Sequence, residues 1–178
     1  DPPSLQWGIE LMRSWLAVMS VIPSGDAGES YTTGERVVNA CLFSRHITGS
    51  WDGLPTDILA SFKQMAGYLS KNIEYYSDDL SGNHVVNNAR ALLFAGHCCD
   101  MPELVGLGRA LLADRLPVLV SEGFLREGSS HYQYLFTRWL LELRLLASEK
   151  NDTETLTLLN IYIPGLLNRC YFFRVWCH

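Results

Sequence analysis

Asn83-His84-Val85-Val86-Asn87-Asn88-Ala89-Arg90-Ala91-Leu92-Leu93-Phe94-Ala95-Gly96 decides the fold class and carries the first chemical signal. The stretch is polar at its start and apolar afterwards. Val86, Ala89, Leu93 and Ala95 recur at the spacing of a helical face. A helix from about Asn83 to Cys99 is expected, entered from a loop over Ser77 to Gly82. Asn is among the best N-cap residues, so a capping role for Asn83 stands beside any chemical one.

The same periodicity extends outward. Upstream, Ser4 can cap a helix to about Val21 with Ile9, Met12, Trp15, Leu16 and Met19 on one face, closed by Pro23-Ser24-Gly25. Pro23 to Thr33 is a polar, Gly-bearing loop. Thr33 can cap a second helix to about His46, with Val37, Val38, Cys41 and Leu42 inward. Gly49 to Gly53 is a turn. Thr56 starts a long helix carrying Ile58, Phe62, Met65, Leu69 and Ile73.

Downstream, Pro102 suits the first turn of a further helix, and Pro117 should bend or end it. Glu122 to Ser130 is a loop. A strongly apolar helix spans about His131 to Ser148. Thr153 caps the last helix, which Pro164-Gly165 should interrupt. No strand alternation emerges. The expectation is an all-α chain of about seven helices, paired as antiparallel hairpins by short loops.

Composition agrees with one globular domain. The chain has 178 residues, 48% of them apolar and 19% charged, with net charge −5. Lys and Arg are scattered, so no nucleic-acid footprint is present. An acidic protein can still hold a polyanion in a small basic groove. No apolar run approaches the roughly 18 residues of a membrane span, and no signal peptide is visible. The five cysteines, Cys41, Cys98, Cys99, Cys170 and Cys177, lack disulfide-framework spacing and fit buried small side chains. His46 and His97 fit structural roles. No histidine pair has zinc-site spacing, and no metal or other cofactor is expected.

A second polar junction opens the helix near residue 131: Glu122-Gly123-Phe124-Leu125-Arg126-Glu127-Gly128-Ser129-Ser130-His131-Tyr132. Both junctions place polar side chains at a helix N-terminus, where unpaired amides and the helix dipole favour anions. NHxxxNARALLFAG and EGFLREGSSHY together resemble the heparinase II/III family and related alginate lyases. The second is similar to that family's D/E-G-x-x-x-E-x-S-x-x-Y segment, and Tyr132 follows Asn83 by 49 positions. The stretch SWLAVMSVIPSGDAGESYTTGERVVNACLF also resembles the family, which carries Trp where Tyr31 stands. The likeness covers most of residues 10 to 150.

That resemblance implies an (α/α) toroid, of which residues 1–178 would form part, followed by a β-sandwich. It implies a periplasmic or secreted polysaccharide lyase that cleaves a uronic-acid-containing glycan by β-elimination. By the same resemblance, the catalytic residues are Asn83 and His84, which neutralise the uronate carboxylate, and Tyr132, the general base or acid. The chemistry is coherent. A C5 proton beside an ionised carboxylate is weakly acidic, and hydrogen bonds to that carboxylate stabilise the enolate-like transition state. The chain reaches His178 without a β-rich segment, so the expectation is a helical domain or fragment whose β-domain belongs to the full-length protein. The alternative is a non-catalytic, glycan-binding helical domain.

Other residues have plainer readings. Ser129 and Ser130 suit caps or turns. Glu127 can order its loop, and His131 can be exposed. Asn87, Asn88 and Arg90 could reach a sugar, with a solvated helix face the commoner role. Trp51, Tyr75 and Tyr76 could stack on sugar rings, with core anchoring the commoner role.

Overall fold

The computed structural model describes residues 2–18, 22–77 and 81–176. The protein is all-α. Its helices are α1 (Pro2–Val18), α2 (Ser30–Thr48), α3 (Thr56–Leu69), α4 (Asn83–Cys98), α5 (Pro102–Leu119), α6 (Ser130–Glu149) and α7 (Thr153–Trp176). A 3₁₀ turn covers Gly25–Gly28. Strands β1 (Val120–Ser121) and β2 (Phe124–Leu125) form a minimal antiparallel hairpin.

Helix α4 is the axis of the molecule. Every residue in it except His84 and His97 is buried, so the one-faced amphipathic reading was too narrow. A helix buried all round needs neighbours on all sides, and α2, α3, α5 and α6 supply them. Small residues permit the close approach. A Cβ on Gly108 of α5 would lie 2.8 Å from the Ala89 carbonyl oxygen, and one on Gly34 of α2 would lie 3.2 Å from the Ala91 Cβ. Leu92, Phe94, Leu112, Leu116, Trp139 and Leu140 fill the core around this axis. Full burial of such side chains contributes roughly 1.5–3 kcal/mol each.

Helices α4 and α5 form one hairpin, and α6 and α7 another. Helices α2, α4 and α6 stand side by side and run the same way. At one end Tyr31 of α2 meets His84 of α4. Towards the other end the Cys41 thiol is hydrogen-bonded to Cys98. Helix α5 backs this row and touches α7, while α1 packs on α2 and α3.

Several local expectations are corrected. Helix α2 begins at Ser30, and Thr33 is a buried residue inside it whose hydroxyl donates back to the Gly28 carbonyl. Ser4 lies inside α1, and Met19 falls outside the described residues. Helix α7 is capped by Asp152, whose carboxylate accepts the Thr155 N–H at 3.0 Å, so Thr153 is its first residue and not its cap. Pro164 does not interrupt α7. Ile163 and Leu166 are buried on either side of it, and that packing outweighs a local cost of about 3 kcal/mol. Pro117 behaves as expected, since α5 ends two residues later.

The loop before α6 contains the hairpin. Glu122 (φ 51°) and Gly123 (φ 81°) are both left-handed, as a two-residue type I′ turn requires. Glu-Gly is not the usual Asn-Gly or Asp-Gly signal, which is why the turn was not legible.

Candidate functional site

Because α2, α4 and α6 are parallel, their N-termini gather at one end of the row. Tyr31 lies in the first turn of α2, Asn83 and His84 open α4, and Tyr132 lies in the first turn of α6. Three helix N-termini together make a locus favourable to negative charge.

Asn83 does not cap α4. Gly82 occupies the cap position without a side-chain bond. Instead, the buried Asn83 side chain donates from Nδ2 to Glu127 Oε2 at 2.9 Å, and its backbone N–H reaches Glu127 Oε1 at 3.4 Å. Glu127 therefore supplies an acceptor to the start of α4 from a distant loop. That loop is held firmly. The buried Gln133 accepts the Leu125 N–H (2.8 Å) and donates to the Gly123 carbonyl (2.9 Å). Arg126 N–H donates to the Leu119 carbonyl at 2.8 Å. Ser129 caps α6 by accepting the Tyr132 N–H at 3.4 Å, as its position suggested.

His84 is exposed and is held from both sides. Its Nδ1 lies 3.2 Å from Glu74 Oε1, and its ring packs on Tyr31 with centroids 4.7 Å apart. Glu74 is itself gripped by Asn88, which is fully buried. Asn88 Nδ2 donates to Glu74 Oε2 at 3.3 Å, and Asn88 Oδ1 accepts the Glu74 N–H at 2.9 Å.

Tyr132 is 43% exposed and meets His131 edge-on at 5.6 Å. The helix that carries it meets Tyr31 through Trp139, with ring centroids 6.2 Å apart. Burial and the charge of Glu35 push the Tyr31 pKa above its ordinary value; Arg90 only partly offsets them.

Under these groups lies Arg90, wholly buried. It donates to Glu35 of α2 (2.7 Å), Glu142 of α6 (2.5 Å) and Asn87 (2.8 Å). Its guanidinium sits 5.5 Å from the Trp139 ring centroid. Asn87, Asn88 and Arg90 are therefore not a solvated face: all three are fully buried. They tie α4 to the segments carrying Tyr31, Glu74 and Tyr132.

Glu74, Tyr31, Arg90, Glu35 and Glu142 are the residues that sequence reasoning missed here. Tyr31, Glu35 and Arg90 lie within the quoted motif stretches, Tyr31 at the position where the resembled family carries Trp; Glu74 and Glu142 left no local signal. Trp51 is a core anchor, packed edge-on against Phe94 and donating to Glu149 at 2.8 Å. Tyr75 lies under the Arg115 guanidinium, and Tyr76 is exposed. His97 is structural, 3.0 Å from Asp152.

The buried thiols are unreactive in character. A hydrogen bond to Cys98 and burial hold the Cys41 thiol far above its ordinary pKa, and burial pushes Cys99 up to about 11. Among the described residues, no group of three or more His, Cys, Asp or Glu is placed to hold a metal ion, and no helix is long and apolar enough to cross a membrane. The sequence matches no protein-family model, and neither curated proteins nor solved structures return a match.

Proposed function

We propose that this chain is the helical, substrate-holding part of a polysaccharide lyase, cleaving a uronic-acid-containing glycan by β-elimination with Asn83, His84 and Tyr132 at its centre. One observation carries the reading. Where three parallel helix N-termini meet, Asn83 already holds a carboxylate, that of Glu127. The start of α4 is thus chemically a carboxylate receptor. Glu127 orients the Asn83 amide through one of its hydrogens, and the second remains for a uronate carboxylate beside His84. Neutralised in this way, the substrate can lose its C5 proton to the phenolate form of Tyr132; the C5 electron pair forms the C4–C5 double bond and breaks the C4–O4 bond, and the re-formed Tyr132 hydroxyl returns that proton to the leaving O4.

The architecture supports the same reading. A row of α2, α4 and α6 backed by α5 and α7 is the layering expected of an arc of an (α/α) toroid. Trp7 and Leu11 on α1, and Ile161 and Tyr171 on α7, are exposed and offer faces to further structure. In this reading a β-domain of the full-length protein covers the end of the helical row where Asn83 and His84 stand.

A second reading, glycan binding without turnover, is favoured by the charge around the site. Glu35, Glu74 and Glu142 face Arg90, Arg138 and His84, and a fourth carboxylate, Glu127, faces the Asn83 amide, a balance that weakens the hold on a polyanion. The helical part alone is therefore expected to bind oligouronates weakly.

The test is incubation of the full-length protein with sulfated and unsulfated uronate polymers. A lyase leaves a C4–C5 double bond conjugated to the carboxylate, read as rising ultraviolet absorbance. Tyr132→Phe should lower the rate by about 10²–10⁴-fold with the helical circular dichroism unchanged. Binding without absorbance selects the second reading. Wild-type turnover by a folded Tyr132→Phe variant overturns the mechanism.

A further inference from the structure

Glu74 lies outside every motif in the sequence, yet both of its carboxylate oxygens are engaged beside His84. Its side chain is 16% exposed, against 56% for His84. Its two oxygens have different partners: Oε2 accepts from Asn88 Nδ2, and Oε1 faces His84 Nδ1. Asn88 also accepts the Glu74 N–H, so backbone and side chain of Glu74 are locked to one buried amide. A fixed carboxylate at hydrogen-bond distance decides which ring nitrogen carries the proton. The Tyr31 ring against the imidazole restrains its tilt.

We infer that Glu74 is a positioning residue that holds neutral His84 as the Nδ1–H tautomer and presents Nε2, as an acceptor, to the substrate. The role within turnover rests on the lyase reading above; the tautomer does not. The arrangement follows the logic of a base oriented by a third group. It also changes what His84 does. With Nδ1–H spent on Glu74, a neutral ring cannot donate to the uronate carboxylate from Nε2. Neutralisation of that carboxylate then falls to Asn83 and the α4 N-terminus, and Nε2 is free to accept a hydrogen from a substrate hydroxyl or from Tyr132.

Glu74→Gln makes the inference testable with little change of shape. The buried Asn88 amide still needs an acceptor, so the oxygen of the introduced amide must face Asn88 and its NH₂ must face His84. Nδ1 then becomes the acceptor, and the neutral ring should switch to the Nε2–H tautomer.

The experiment is long-range ¹H–¹⁵N correlation on labelled protein, with His84 assigned by the loss of its signals in His84→Gln. The neutral wild-type ring should give the Nδ1–H pattern, and Glu74→Gln the Nε2–H pattern. In the uronate assay, Glu74→Gln should lower kcat more than tenfold with KM little changed. An Nε2–H pattern in the wild type overturns the proposal, and that result does not depend on whether the variant folds. The expected tautomers in a protein with no uronate turnover would leave Glu74's positioning role standing and remove the lyase reading.

Discussion

Arg90 sets the electrostatics of the site. A fully buried guanidinium is tolerable only while paired, and Glu35 and Glu142 pair it from two other helices. Arg90→Met keeps much of the volume but leaves two partly buried carboxylates facing each other. The expected loss is about 3–5 kcal/mol, read as a shift in urea midpoint. Arg138 touches the same Glu142 at 3.3 Å from an exposed position one turn away. Arg138→Ala should cost no more than about 0.5 kcal/mol. Similar losses for the two variants would mean that Arg90 is not the keystone. Local spacing gives Arg138 a carboxylate one turn away and Arg90 none, so sequence alone does not reveal that Arg90 is the one that is paired twice. What separates them is burial, which depends on α2 and α6 flanking α4.

At the scale of elements, caps and turns decide where helices begin and how the site loops are held. Asp152 caps α7 and also binds His97 and Arg109. Burial alone would raise its pKa. Hydrogen bonds from the Thr155 backbone and hydroxyl and from His97, with the Arg109 charge, outweigh burial and leave it below the ordinary value. The unfolded chain therefore takes up this proton first as pH falls, near about 3.9, and the folded state loses the stabilisation below that value. Asp152→Ala should cost about 1–2 kcal/mol near neutral pH. Between about pH 5 and about pH 3, its denaturation midpoint should fall less than that of the wild type.

The hairpin before α6 offers a matched pair of tests. Gly49 and Gly123 have similar left-handed φ values, 79° and 81°. A Cβ at Gly49 meets nothing within 4 Å, whereas one at Gly123 would lie 2.5 Å from the Gly165 carbonyl oxygen. Gly49→Ala should cost about 1–2 kcal/mol from backbone strain. Gly123→Ala should cost clearly more in the same thermal melt, because it also separates the hairpin from α7. Equal costs would mean that the hairpin does not depend on this contact.

For the molecule as a whole, stability is graded outward from α4. That helix is surrounded, and its amides can exchange only when the core opens. Helix α1 packs through Ile9, Met12, Trp15 and Leu16 along one side and leaves Trp7, Leu11 and Val18 exposed. Its Arg13–Asp57 pair is at the surface and contributes little. Hydrogen–deuterium exchange should therefore show α1 losing protection first and α4 last, close to the global unfolding free energy. Simultaneous exchange of both would indicate a single cooperative unit in place of a graded one.

The sequence by itself determined the helices. The 3.6-residue recurrence of apolar side chains is clear in α1, α3, α4 and α6 and weak in α2, α5 and α7, and the Pro, Gly and Ser/Thr breaks between segments set the number of elements to within a few residues at each end. It also marked the two junctions where Asn83, His84 and Tyr132 stand, because polar residues opening apolar helices are visible locally. Tertiary structure decided what each junction touches. Thr33 and Thr153 look like caps in isolation, but burial of the first and a better acceptor in Asp152 moved the helix starts. Pro164 lies inside a helix because Ile163 and Leu166 are packed on both sides of it. Tyr31 and Glu127 reach the α4 N-terminus only because α2, α4 and α6 lie parallel, and Glu74 is folded back onto it by the buried Asn88. That alignment is set by how side chains mesh between helices, a long-range property that no local spacing records.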